Sequence, residues 1–257
     1  MRTSPLPATR RNYWNDSRSP RYSLTFALPL LALYEGLAAA LSQSSDGVRN
    51  GADVILKSAF NAAFGARGPL IFGVLLLGIF VALIMRDRRR SKDALKISTF
   101  AIMLGESVLL AGVFGVVVGL LTAQLVAPLQ RLALQRLALG PLDQVAWPTA
   151  LMVSLGAGLY EELLFRVILV SALLWSAKRI FGWGPVASGL FATMAGALVF
   201  SAFHYVGPFG DQLQLGSFVF RAIAGVAFSA LYIVRGFGIT AWTHALYDVM
   251  LLVARGT

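Results

Sequence analysis

Seven long apolar windows divide this chain, near Leu24 to Leu41, Gly68 to Met85, Ile97 to Val126, Trp147 to Ser176, Pro185 to Phe203, Gly216 to Val234 and Gly238 to Val253. About 20 apolar residues in a helix cross a hydrocarbon core of about 30 Å, and only helices or closed barrels satisfy their own backbone there. The windows therefore predict an all-α, multi-span integral membrane bundle of about seven transmembrane helices. The stretch GADVILKSAFNAAF, Gly51 to Phe64, is mildly amphipathic and is expected as an eighth helix at the interface. Of the 257 residues 57% are hydrophobic and only 13% charged, which leaves no room for a large soluble domain beside the spans. One membrane domain is expected, with a basic tail over residues 1–22, amino-terminal spans over 23–146 and a second group of spans over 147–257.

The chain has no cysteine, which excludes disulfides, thiolate metal sites and a cysteine nucleophile together. Its net charge of +10 does not indicate nucleic acid, because the basic residues fall in short clusters between apolar runs. Fourteen Lys and Arg, in the tail, in RDRRRSKDALK, at Lys178 and Arg179 and at Arg235, fall on one side of the spans. The other side has six: Arg49, Lys57, Arg67, Arg131, Arg136 and Arg255. The positive-inside rule then puts the amino terminus in the cytoplasm and the carboxy terminus outside. The expected location is a multi-pass protein of the cell membrane, with the lipid bilayer as its constant partner. Arg221, near a predicted span end, is expected to snorkel toward water.

The acids are distributed against the usual trend. All four glutamates, Glu35, Glu106, Glu161 and Glu162, lie within predicted spans, as do Asp248 and, within or at the end of a span, His204 and His244. An ionisable group at the bilayer centre costs at least about 2.5 kcal/mol, so such groups are expected to face the bundle interior in pairs. Glu162 and Arg166 stand at i,i+4 on one helix face and form a charge-assisted pair. Glu161 points elsewhere and is left without that arginine. His244 and Asp248 are also i,i+4, so the carboxylate is placed to orient the imidazole. His204 arrives from another span. Two carboxylates and two imidazoles shielded from solvent are suited to activating water, one acid as base and one histidine facing the oxyanion. Helical rise leaves one discrepancy: Glu161 and His244 come near mid-span, whereas His204 comes at an end. Glu35 and Glu106 stay outside this set, as partners for Arg166 or Arg221, as cavity lining or as boundary residues.

EELLFR, FSAFH and HALYD, in that order, resemble the EExxxR, FxxxH, HxxxN/D signature of the CAAX protease and bacteriocin-processing family, CPBP or Abi, which includes type II CAAX prenyl endopeptidases. The resemblance covers about Trp147 to the end. It implies an intramembrane endopeptidase in which Glu161 is the general base for a water held between it and His204. It further implies that His244 and Asp248 form the oxyanion side, while the ion pair of Glu162 and Arg166 supports the site. Asp248 stands where the best-known prenyl-protein proteases have asparagine; ionised, it orients His244 and has no amide hydrogen to donate.

Metal-free catalysis is the favoured expectation. The alternative is zinc on Glu161, His204 and His244 with a position left for water. Two readings from other classes also fit intramembrane acids and histidines: a proton-coupled transporter and a non-catalytic bacteriocin-immunity or scaffold protein on the same fold. The compact, arginine-rich chain suits a bacterial member acting on a membrane-associated peptide or protein whose identity the sequence does not carry.

Overall fold

The computed structural model describes residues 13–43, 47–90, 93–126, 146–207 and 210–255. Every regular element among them is helical: α1 Tyr13–Arg18, α2 Pro20–Ala40, α3 Gly51–Phe64, α4 Gly68–Arg90, α5 Ile97–Val126, α6 Trp147–Gly156, a π-helical run Ala157–Val170, α7 Ser171–Arg179, α8 Pro185–Phe203, α9 Leu215–Arg235 and α10 Phe237–Arg255. A 3-10 turn, Gly65–Arg67, joins α3 to α4. Of the charges counted above, Arg2, Arg10, Arg11, Lys92, Arg131 and Arg136 lie outside the described residues.

Among the described residues six helical stretches are long and apolar enough to cross a membrane: Pro20–Ala40, Gly51–Arg90, Ile97–Val126, Pro185–Phe203, Leu215–Arg235 and Phe237–Ala254. The remaining expected span is an unbroken helical run from Trp147 to Arg179 whose middle widens to i→i+5 turns. Wide turns of this kind are rare and concentrate at functional sites. The molecule is an all-helical, multi-span membrane bundle. Large apolar side chains on α4 and α5, such as Leu70, Val74, Leu109 and Val116, are largely exposed on its outside, as lipid-facing surfaces require.

Although Gly51–Arg90 is continuous helix by composition, it turns a corner. Gly65 adopts φ +63°, and a Cβ on Gly68 would lie 2.3 Å from the Phe60 backbone. The chain therefore folds back so that Phe60 meets Phe72 edge-on at 5.3 Å. Only Ala52 and Asp53 of α3 are buried, so this helix is attached chiefly through its first turn. Helix also begins earlier than expected, since α1 and the start of α2 lie inside the segment read as tail.

Backbone close approach sets the positions of the site helices. A Cβ on Gly158 would lie 2.3 Å from Ala241 O and 2.6 Å from Ala245 Cβ, so α10 is seated directly on the π-helical run. Gly225 meets Ala197 in the same manner between α9 and α8. Phe114 of α5 stacks on Phe228 at 4.0 Å and meets Tyr247 edge-on at 5.0 Å, packing α9 against α10.

At the end carrying α1, Arg235 grips Glu106 through two bonds of 2.6 and 2.7 Å, donates to Ser17 Oγ and lies over the Trp14 ring at 4.0 Å. Tyr13 also donates to Glu106. Burial, and then the bond to Glu106, push the Tyr13 phenol above its ordinary range, so it remains a donor. Glu106 thus pairs with Arg235, not with Arg166 or Arg221.

Candidate active site

Glu162 is wholly buried and Arg166 is 1% exposed, so neither charge is solvated and each needs a partner. Arg166 Nη1 lies 3.1 Å from Glu162 Oε1, and its guanidinium is held over Phe200 at 4.5 Å and Phe228 at 5.4 Å. Glu162 Oε1 also bonds His244 Nδ1 at 2.7 Å. One carboxylate therefore ties the π-helical run to α10. Phe228 stacks on the His244 ring at 4.3 Å and 22°, which fixes its plane.

This corrects one expectation. The carboxylate that orients His244 is Glu162, because Asp248 Oδ2 stands 3.8 Å from His244 Nε2, beyond hydrogen-bond length. The i,i+4 spacing places Asp248 beside the ring, but the buried glutamate takes the closer nitrogen. A carboxylate thus faces each nitrogen of His244.

His204 caps α8, and its Nδ1 lies 2.9 Å from Phe200 O. A carbonyl can only accept, so Nδ1 carries hydrogen and the neutral ring turns the lone pair of Nε2 outward. That lone pair faces Glu161 Oε2 at 3.9 Å. Two acceptors at this distance do not bond each other, but one water can donate a hydrogen to both. The Glu161 side chain is 8% exposed and that of His204 24%, so access is from the His204 side. α8 does begin at Pro185, so the depth discrepancy between Glu161 and His204 is closed by how the helices lie and not by a later start. Glu161 and His244 are also within electrostatic reach of each other.

Residues 143–250 match the family model described as type II CAAX prenyl endopeptidase Rce1-like. Over this stretch, less than half of the chain, the sequence is similar to that family. Searches of curated proteins and of solved structures returned no match. The Rce1-like region includes every residue placed so far in the site, Glu161, Glu162, Arg166, His204, His244 and Asp248, and the match points to a CAAX-type membrane protease.

Within the Rce1-like region, Arg221 departs from expectation. It is 7% exposed, pairs with Asp211 and lies 3.4 Å from Ser217 Oγ. It does not snorkel, because Asp211 reaches inward to neutralise it. The Asp211 N–H donates to His204 O at 2.9 Å, so the pair fastens the turn that follows His204.

Another contributor lies outside the Rce1-like region. Asn50, 2% exposed, donates from Nδ2 to Glu161 Oε1 at 2.8 Å. It is the N-cap of α3, and its Oδ1 accepts from the Ala52 and Asp53 N–H groups. The sequence signal was present, since Asn before a helical run with an acid three residues on is a capping pattern. Nothing in that pattern shows which helix the other side of the amide will meet. Around it Asp53 is bound by Arg49 at 2.7 Å, Lys57 at 2.7 Å and the Tyr34 hydroxyl at 2.8 Å. Glu35 is bound by Lys57 at 2.8 Å, Arg49 at 3.1 Å and the Tyr160 hydroxyl. Glu35 therefore also pairs with neither Arg166 nor Arg221.

Zinc would need Glu161, His204 and His244 to converge as its ligands. Among the described residues no group of three His, Cys, Asp or Glu is arranged to hold a metal ion. His244 Nδ1 is taken by Glu162, and Asp248 Oδ2 stands 3.8 Å from its Nε2.

The Gly158 contact yields a direct test of the scaffold. Gly158→Ala is expected to lower stability by about 1 to 3 kcal/mol, because α10 must move off the π-helical run. The same shift separates His244 from Glu162, so thermal melting and peptide turnover should fall together. Unchanged values of both would show that α10 is not seated through this glycine.

Proposed function

We propose that the protein is an intramembrane endopeptidase that hydrolyses a peptide bond of a membrane-associated peptide or protein with a glutamate-activated water. The observation carrying this reading is the placement of Glu161 Oε2 and His204 Nε2 as two acceptors 3.9 Å apart. A water donating one hydrogen to each presents its oxygen lone pair to a carbonyl carbon. As the C–O bond forms, a water proton passes to Glu161 Oε2. The carbonyl oxygen becomes an oxyanion, and a proton on His244 Nε2 is the donor that meets it. Glu161 then delivers its proton to the amide nitrogen as the C–N bond breaks. Glu162 holds His244 through Nδ1, Arg166 neutralises Glu162, and Asp248 lies beside Nε2 at 3.8 Å. No step draws on a metal.

The positive-inside count supports an amino terminus in the cytoplasm, with Asn50 and His204 toward the opposite side. The similarity to type II CAAX prenyl endopeptidases makes a prenylated CAAX peptide the first substrate to test. Purified, chelator-treated protein in liposomes should cleave such a peptide or its unprenylated counterpart, with the ratio of the two reporting whether the lipid is recognised. His204→Ala should lose about 10² to 10⁴ of the rate. Cleavage lost on chelation and restored by zinc would overturn the metal-free step. Proton-coupled uptake abolished by the same substitution, with no cleavage, would replace the protease reading by transport.

A further inference from the structure

The structure assigns to Asn50 the role of a positioning residue for Glu161, so that the active site has a wall outside the Rce1-like region. This rests on the reading of Glu161 as the base. Three contacts bring the first turn of α3 onto the site. Asn50 Nδ2 bonds Glu161 Oε1 at 2.8 Å. A Cβ on Gly51 would lie 3.2 Å from the ring of Phe203, the neighbour of His204. A Cβ on Gly156, five residues before Glu161, would lie 2.8 Å from Asn50 Cβ and 2.4 Å from the Tyr34 ring, so glycine there allows the approach.

The amide cannot face Glu161 the other way round. Its oxygen is committed to the N–H groups of Ala52 and Asp53, which can only donate, so nitrogen must face the carboxylate. Tyr34 tightens this arrangement, accepting from the Asn50 N–H at 3.3 Å while donating to Asp53. Arg49 and Lys57 hold Asp53 from the other side. The donor thus occupies Oε1 of Glu161 and leaves Oε2 for the water shared with His204. Without it the carboxylate is free to rotate, and either oxygen can turn away from His204.

The distinguishing experiment uses the full chain and three substitutions. Asn, Asp and Ser are near-equal N-caps whereas Ala is poor, so a purely structural Asn50 makes Asn50→Ala the weakest variant and leaves Asn50→Asp and Asn50→Ser close to wild type. A positioning Asn50 reverses the order. Asn50→Asp sets a carboxylate against Glu161 and should lose about 100-fold or more of kcat. Asn50→Ser, which keeps the cap and shortens the donor, should lose about tenfold, both with KM within about twofold. Asn50→Asp as active as Asn50→Ser overturns the assignment.

A second arm does not depend on activity. Asn50→Asp should lower Tm by about 4 °C or more in the wild-type background, and by less than about 1 °C in Glu161→Gln, whose amide can donate to the new carboxylate. Equal lowering in both backgrounds would show that the two positions are not coupled. If wild type cleaves no peptide, the protease reading fails by itself, and the melting cycle still decides whether Asn50 holds Glu161.

Discussion

Glu161→Gln is expected to remove peptide hydrolysis, by about 10² to 10⁴ in kcat, without lowering the melting temperature. The first half follows from chemistry: an amide cannot take the proton from the water that faces Oε2 and His204. The second half follows from the surroundings of the side chain. Glu161 is 8% exposed, with His204 3.9 Å away and the amide of Asn50 as its short bond. Glutamine keeps the shape, can still accept the Asn50 hydrogen through its own amide oxygen and removes a buried charge, so Tm should be unchanged or raised. Activity assays and thermal unfolding of the same preparation check both halves. A variant that is inactive because it has unfolded would not support the assignment, and one that retains turnover would remove Glu161 from the role of base.

Arg166→Met is expected to give the largest loss of stability, about 3 to 5 kcal/mol. It leaves Glu162 wholly buried with His244 as its remaining close partner. Turnover should fall as well, because Glu162 is the carboxylate that holds His244. The informative variant is the double one. Glu162→Gln combined with Arg166→Met removes both charges, and most of the lost stability should return, since a buried pair replaced as a pair is far less damaging than one broken. Activity should not return. Additive losses of stability in the double variant would mean that the two side chains are not the neutralising pair described here.

Much of this architecture is legible in the chain itself, because a membrane protein must display its spans as apolar runs and cannot hide unpaired charge. The i,i+4 relation of Glu162 and Arg166 comes directly from helical geometry, and the structure places them 3.1 Å apart. Spacing along one helix says less about contacts between helices. His244 and Asp248 have the same spacing, yet the nearer carboxylate to His244 comes from 82 positions away in the chain. The widened turns of Ala157–Val170 have no residue signature. Arg221 stands near a span end, and its partner, Asp211, lies in a loop whose inward reach no local pattern displays. Asn50 is the plainest case: the cap pattern is local and readable, while the bond to Glu161 spans 111 positions and depends on a glycine, Gly156, that lets two backbones approach.

The origin of the oxygen in the product tests the central claim most directly. A single turnover in ¹⁸O-water, with enzyme in excess over a membrane peptide, should place solvent oxygen in the new carboxy terminus at once and leave Glu161 unlabelled, because the attacking group is water and the glutamate only carries its proton. A first-turnover product bearing ¹⁶O, with label appearing afterwards in the Glu161 carboxylate, would instead make that residue a nucleophile and contradict the mechanism.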